Sequence, residues 1–130
     1  WANKLHGMTA RIKRIELIDV ILSFYEGIVI SEVKDDVVFE IEHVEQILKI
    51  CNEVYKGADF VYVSDRKNNY NVNPTIYFEL KDVKNLLGIA IVSQRYEALQ
   101  VANFEKQFSP VPFDIFSHMD EARAWAKTLL

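Results

Sequence analysis

The sequence predicts an α/β fold with a single mostly parallel (mixed) sheet of about five strands, covered by about four helices. Short β-branched and aromatic runs alternate along the chain with segments of helical periodicity, as in strands joined by crossover helices. Residues 89–92, Ile-Ala-Ile-Val, are apolar at every position, which is typical of a strand buried on both faces of a parallel sheet. The predicted element order is ββαβαβαβα.

The first half of the chain contains two predicted strands and one helix. Residues 12–25 and 28–33 have strand composition, and Glu26-Gly27 between them suits a tight hairpin turn. Only the first strand is expected to run antiparallel to its neighbour. Residues 42–56 carry apolar side chains at steps of three and four, which predicts an amphipathic helix, and Gly57 is expected to end it as a left-handed cap.

The next pair of elements surrounds a polar loop. Residues 60–63 predict a short strand. Asn73-Pro74 predicts the start of a helix, because the Asn side chain can accept a free backbone N–H and proline needs no partner at the first helical position. We expect this helix to continue to Leu87 and to end at Gly88.

The last elements follow the apolar strand at residues 89–92. Ser93 is expected to cap a helix over residues 94–107, and residues 113–116 predict a further strand. Ser117 and Asp120 have the spacing of a capping box for the final helix. Residues 11–130 are expected to form one domain, preceded by a tail over residues 1–10 that is in part foreign to the natural chain.

Composition excludes several classes of protein. The net charge of −4 argues against a general nucleic-acid binder, which needs a basic face. The single cysteine excludes an internal disulfide and fits a reducing cytoplasm. No apolar run approaches the roughly 20 residues of a membrane span. We therefore expect a cytoplasmic protein that binds no nucleic acid.

The sequence carries no signature of catalysis, cofactor or metal binding. It contains neither GxGxxG nor GxxxxGK[ST], and no serine stands in a GxSxG elbow. Cys51 falls on the inward stripe of its helix, and the three histidines lack metal-ligand spacing. We expect a protein that is not an enzyme and has no cofactor and no metal site.

The element order and several segments resemble the STAS domain, including the stand-alone bacterial proteins called SpoIIAA-like. The resemblance covers nearly the whole chain from Ile15 onward. It rests on the paired N-terminal strands, the strand at residues 60–63 with its loop and helix, the segment 88–93, the segment 113–116, Asp120-Glu121-Ala122 and Trp125. It implies a regulatory or protein-interaction module.

One departure from the family pattern concerns its phosphorylation switch. Anti-sigma-factor antagonists carry an Asp-Ser-(Ser or Gly)-Gly type motif after the central strand, and its serine is phosphorylated. The matching segment here, residues 65–74, has no Ser, Thr or Gly. Ser64 lies too early and Thr75 lies inside the helix start. The loop is more similar to that of stand-alone relatives, some of which resemble lipid-binding α/β modules in fold.

Polar residues are expected to meet at the carboxyl ends of the parallel strands, where open α/β sheets bind ligands. Unpaired N–H groups at the starts of three helices would favour an anion there. We expect ligand or partner binding by Asp65, Arg66, Tyr70, Asn73, Tyr77, Gln94, Arg95 and His118.

Two function classes fit these residues. The first is a non-enzymatic interaction module that binds another protein through the loop and helix, with Tyr70 and Tyr77 as aromatic anchors. The second is a carrier or sensor of a small anionic or amphipathic, lipid-like ligand, with Arg66 or Arg95 at its headgroup. An enclosed apolar cavity that holds a copurified molecule would favour the second class, and an exposed apolar patch without a cavity would favour the first. A homodimer through a sheet edge or a helix face is compatible with both.

Overall fold

A computed structural model describes residues 10–130, so most of the predicted tail, residues 1–9, lies outside the described residues. Its main feature is a six-stranded sheet. The strands are β1 (Lys13–Glu16), β2 (Val20–Tyr25), β3 (Ile28–Val33), β5 (Phe60–Asp65), β7 (Leu86–Val92) and β8 (Phe113–Phe116). They lie side by side in the order β1-β2-β3-β5-β7-β8. Two short strands, β4 (Val38–Phe39) and β6 (Asn71–Val72), form a separate parallel pair.

The helices cover the two faces of this sheet unequally. They are α1 (Ile41–Tyr55), a 3₁₀ helix (Pro74–Leu80), α2 (Tyr96–Lys106) and α3 (Met119–Leu129). The larger core contains side chains of α1, the 3₁₀ helix and α2 together with one face of the sheet. On the opposite face, α3 packs Ala122 and Ala126 over the centre of the sheet. The predicted mixed α/β class is confirmed.

The strand directions differ from the prediction at the N-terminal end. Residues 12–25 form two strands rather than one, because the chain turns after β1, where Leu17 N–H donates to the Val20 carbonyl at 2.8 Å. Both β1–β2 and β2–β3 are antiparallel, whereas β3–β5, β5–β7 and β7–β8 are parallel. The hairpin at Glu26-Gly27 is confirmed, with Gly27 at φ +75°.

The predicted helix over residues 74–87 is wrong in its second half. The 3₁₀ helix ends at Leu80, and Leu86, Leu87 and Gly88 belong to β7. Gly88 does not end a helix: α3 approaches β7 so closely there that an added Cβ would collide with the Leu129 side chain. A glycine within a strand often marks such a close approach.

The other helix boundaries differ by a few residues. The first predicted helix is observed as α1, Ile41–Tyr55, followed by left-handed Lys56 and Gly57. The helix predicted over residues 94–107 is observed as α2, Tyr96–Lys106. The Ser117 capping box is wrong, because α3 begins one residue later, with His118 at its N-cap and no side-chain cap.

Candidate functional site

The polar loop after β5 is an ordered connection. Its β6 segment pairs in parallel with β4, and the Asn71 and Asn73 N–H groups donate to the carbonyls of Val37 and Phe39 at 3.0 Å. The amide of Asn68 donates to the Val33 carbonyl at 2.9 Å. The backbone of Asn71 and Asn73 therefore holds β6 against the β4 segment, and the Asn68 side chain attaches the loop to the end of β3.

Asn73 has the structural role that the sequence predicts for a helix start. Its Oδ1 accepts the Thr75 N–H at 3.1 Å and the Thr75 hydroxyl at 2.9 Å. Replacing Asn73 by alanine should lower the free energy of unfolding by about 1 kcal/mol, the usual cost of a lost N-cap. Urea unfolding checks this value, and Asn73→Ser should recover most of the loss. An unchanged midpoint in the alanine variant would contradict the capping role.

Arg66 forms a buried ion pair with Glu105 of α2. Their side chains are 7% and 1% exposed. Arg66 Nη1 and Nη2 donate to the two carboxylate oxygens of Glu105 at 2.5 and 2.8 Å, which is the bidentate geometry of a strong pair. Burial opposes the charge on Arg66, but hydrogen bonds from Arg66 to Glu105 and nearby charges raise its pKa above the ordinary value. Arg66 therefore keeps its charge in the folded protein, and that charge lies directly against the Glu105 carboxylate.

Three hydroxyl groups surround this pair. Tyr77 donates a short hydrogen bond to Glu105. Burial and the charge of Glu105 raise the pKa of Tyr77 above its usual range, so its phenol remains a donor at neutral pH. Ser64 Oγ accepts from Arg66 Nε at 3.2 Å and lies 3.2 Å from the Tyr70 hydroxyl. The Arg66 guanidinium also lies 5.8 Å from the centre of the Tyr70 ring.

An internal cavity of about 50 Å³ adjoins these polar groups. It lies between the sheet and the elements α1 and the 3₁₀ helix. Its polar end is formed by Tyr62, Ser64, Arg66, Tyr70 and Tyr77. The rest of its wall is apolar and is contributed by Val33, Phe39, Val44, Ile47, Leu48, Cys51, Phe60, Ile76, Leu80, Leu86, Ile89 and Ile91.

Cys51 is part of the apolar wall. It is fully buried, as its position on the inward stripe of α1 predicts. Burial raises the pKa of its thiol to about 12, so the thiolate is scarce at neutral pH. Because the thiolate is the nucleophile, Cys51 is suited to packing and not to covalent catalysis.

A groove of about 340 Å³ lies at the carboxyl ends of β5, β7 and β8. Five of the predicted site residues line it: Asp65, Arg66, Gln94, Arg95 and His118. The basic side chains at this edge already have partners within the protein. Arg95 donates to the Asn68 carbonyl at 3.2 Å, and Lys67 lies 3.4 Å from Glu32 and 3.7 Å from Asp65.

The predicted site residues thus divide between two places. Arg66 lines both the groove and the cavity, whereas Tyr70 and Tyr77 line the cavity alone. Tyr77 is only 3% exposed, so its ring faces the interior and not a partner. Its neighbour Phe78 is 62% exposed.

Sequence reasoning missed Glu105, the residue that pairs with Arg66. One signal was present, because Glu105 follows Ala98 and Ala102 at the spacing of a single helix face. A charged residue on an otherwise small and apolar inward face indicates a buried partner. Val101, on the same helix, is 45% exposed.

The described residues contain neither a candidate membrane span nor a candidate metal cluster. Between residues 10 and 130, no helix is long and apolar enough to cross a membrane. Over the same part of the chain, no three His, Cys, Asp or Glu side chains cluster as metal ligands.

The comparison with solved structures identifies the fold. The protein is similar to the crystal structure of an uncharacterized protein from the DUF3478 family with a SpoIIAA-like fold, from Shewanella loihica PV-4. The match has a TM-score of 0.55 and 16% sequence identity, and it covers 92% of this chain and 99% of that chain. No family model matches the chain, and no curated protein matches it. The protein is therefore an α/β protein with a SpoIIAA-like fold, as the sequence resemblance implies.

Proposed function

We propose that this protein is a non-enzymatic regulatory module of the STAS-like type, in which occupancy of the internal cavity takes the place of the phosphorylation switch. The ligand is a small, mostly apolar molecule with one polar group. The observation that carries the proposal is the position of the cavity. Its polar end includes Ser64 and Arg66, which lie at the start of the loop where the resembling family carries its phosphorylated serine.

The wall of the cavity matches the surroundings that such a ligand needs. Small-molecule sites are mostly apolar, with a few polar groups that orient the ligand. Here the Ser64 and Tyr70 hydroxyls stand at one end, and residues of α1, the sheet and the 3₁₀ helix supply the apolar remainder. An internal, mostly apolar cavity supports the sensor class over an interaction module that has no ligand.

The 3₁₀ helix connects the cavity with the protein surface. Tyr77 contacts the cavity, and the adjacent Phe78 is an exposed aromatic side chain. A ligand that shifts the Tyr77 ring would therefore change how Phe78 is presented to solvent. We propose this exposed side of the 3₁₀ helix as the place where a partner protein detects the bound state.

The proposal is tested by nuclear magnetic resonance of the methyl-labelled protein under xenon pressure, because xenon occupies apolar cavities of this kind. Methyl signals of Val33, Ile47 and Leu80 should shift, and the backbone amide of Phe78 should shift with them. If the methyl signals shift and the Phe78 amide signal does not, the cavity is not coupled to the surface, which would contradict the sensor role.

A matched pair of variants shows whether the xenon shifts arise from the cavity. Val44→Leu adds a methylene to the cavity wall and should abolish the xenon shifts. Val101→Leu makes the same chemical change on the exposed side of α2 and should leave them intact. Equal xenon responses in the two variants would show that the cavity is not the site.

The interaction-module class remains a second candidate because exposed aromatic side chains also occur away from the cavity. On α2, Tyr96 is 71% exposed and Phe104 is 52% exposed. If these residues served a partner regardless of ligand, Val44→Leu would leave partner binding unchanged, whereas the sensor predicts that filling the cavity alters it.

A further inference from the structure

We infer that the cavity selects uncharged molecules over anions of the same size, and that Glu105 sets this selectivity. The inference rests on the proposed cavity function and goes beyond it by naming the class of ligand. It replaces the anionic headgroup that the sequence suggested for Arg66.

Arg66 is the one residue with a formal charge among those described that line the cavity. Each of its three guanidinium nitrogens donates to a side chain of the protein: Nε donates to Ser64 Oγ at 3.2 Å, and the two terminal nitrogens donate to Glu105. Glu105 therefore cancels the charge that would otherwise attract an anion. Tyr77 adds a further donor to the same carboxylate and holds it in place.

An anion that entered this cavity would lose its hydration without meeting an uncompensated positive charge. Removing a carboxylate from water is costly unless it is paired and hydrogen-bonded. It would also lie close to the negative oxygens of Glu105. A neutral carbonyl or hydroxyl has a much smaller desolvation penalty, and the Ser64 and Tyr70 hydroxyls offer it hydrogen-bonding partners.

The volume of the cavity limits the ligand further. At about 50 Å³ it is well below the roughly 150 Å³ of an engineered cavity that holds benzene. The class that fits is therefore a short-chain neutral ketone, alcohol or amide. Acetone is a suitable probe because acetate has the same number of non-hydrogen atoms and differs by an oxygen anion in place of a methyl group.

Titration of the wild-type protein with acetone and with sodium acetate at constant ionic strength tests the inference. Acetone should shift the methyl signals of Val33, Ile47 and Leu80, and acetate should bind at least about tenfold more weakly. Wild-type protein that binds acetate as well as acetone would overturn the inference while leaving the cavity function intact. Binding of neither probe, together with no xenon response, would instead refute the cavity function itself.

Glu105→Gln tests the role of Glu105 directly. The amide keeps the shape of the side chain but leaves the Arg66 charge unpaired, so the preference should reverse and acetate should bind at least about tenfold more tightly than in the wild type. Acetate should also raise the melting temperature of this variant, since a ligand that binds only the folded state stabilises it. A preference for acetone that survives the substitution would refute the assignment to Glu105.

Two controls keep the result interpretable. Glu97→Gln removes the same charge from an exposed position of α2 and should leave both affinities unchanged. A variant with both Arg66→Gln and Glu105→Gln removes both buried charges and should again prefer acetone. Acetate binding by this double variant would show that the Arg66 charge is not what attracts the anion.

Discussion

Arg66→Ala should lower the free energy of unfolding by about 3–5 kcal/mol, the usual cost of breaking a buried ion pair from one side. The substitution leaves the Glu105 carboxylate buried at 1% exposure, with Tyr77 as its remaining hydrogen-bond donor. Urea unfolding at neutral pH measures the loss. The expected effect is large because the penalty comes from an uncompensated buried charge and not from the lost contact alone.

Two companion variants show whether burial is the cause. Arg14 belongs to an ion pair on the surface, 3.6 Å from Glu16, so Arg14→Ala should cost no more than about 1 kcal/mol. The double variant Arg66→Met, Glu105→Leu removes both buried charges and should be far more stable than Arg66→Ala alone. Equal losses in Arg14→Ala and Arg66→Ala would contradict this account of the pair.

Ile47→Ala should lower the free energy of unfolding by about 2–5 kcal/mol and should create a site for benzene. Ile47 is 4% exposed and forms part of the cavity wall, so its truncation enlarges a space that already exists. Alanine preserves the helical propensity of α1, which limits the loss to packing. Calorimetry with and without benzene should show that the ligand restores part of the lost stability.

The same truncation on the surface provides the comparison. Ile18 is 91% exposed, and Ile18→Ala should change stability by no more than about 0.5 kcal/mol and should bind no benzene. Benzene that stabilises both variants equally would indicate nonspecific binding. Ile47→Ala protein that binds no benzene would mean that the cavity collapses around the shorter side chain.

Local patterns predicted most of the fold. The hairpin at Glu26-Gly27, the amphipathic periodicity of α1 and the strand Phe113–Phe116 are each encoded within a few neighbouring residues. The errors occur where tertiary contacts determine the secondary structure. Residues 86–88 follow a helical pattern in sequence, but Leu86 and Gly88 pair with β5, and α3 packs so closely at 88 that a side chain there would displace Leu129.

The candidate site was only partly predictable, for the same reason. Strand order places Asp65, Gln94, Arg95 and His118 at one edge of the sheet, and periodicity suffices to infer that. The burial of Arg66 depends on Glu105, which is 39 positions away in sequence. A side-chain pair at that separation produces no periodic pattern in the sequence. The sequence therefore predicted that Arg66 binds the headgroup of a ligand, whereas in the structure Glu105 neutralises its charge.

The two outer strands of the sheet bear on how the protein behaves in a crowded cell. β1 presents exposed Lys13, Arg14 and Glu16, and on β8 the Ile115 N–H donates to its neighbour Asp114 at 2.9 Å. Charged side chains on an edge strand, and backbone N–H groups that already have a hydrogen-bond partner, hinder the pairing of a strand from another molecule. The protein should therefore resist fibril growth by strand addition, and any dimer should form through a helix face.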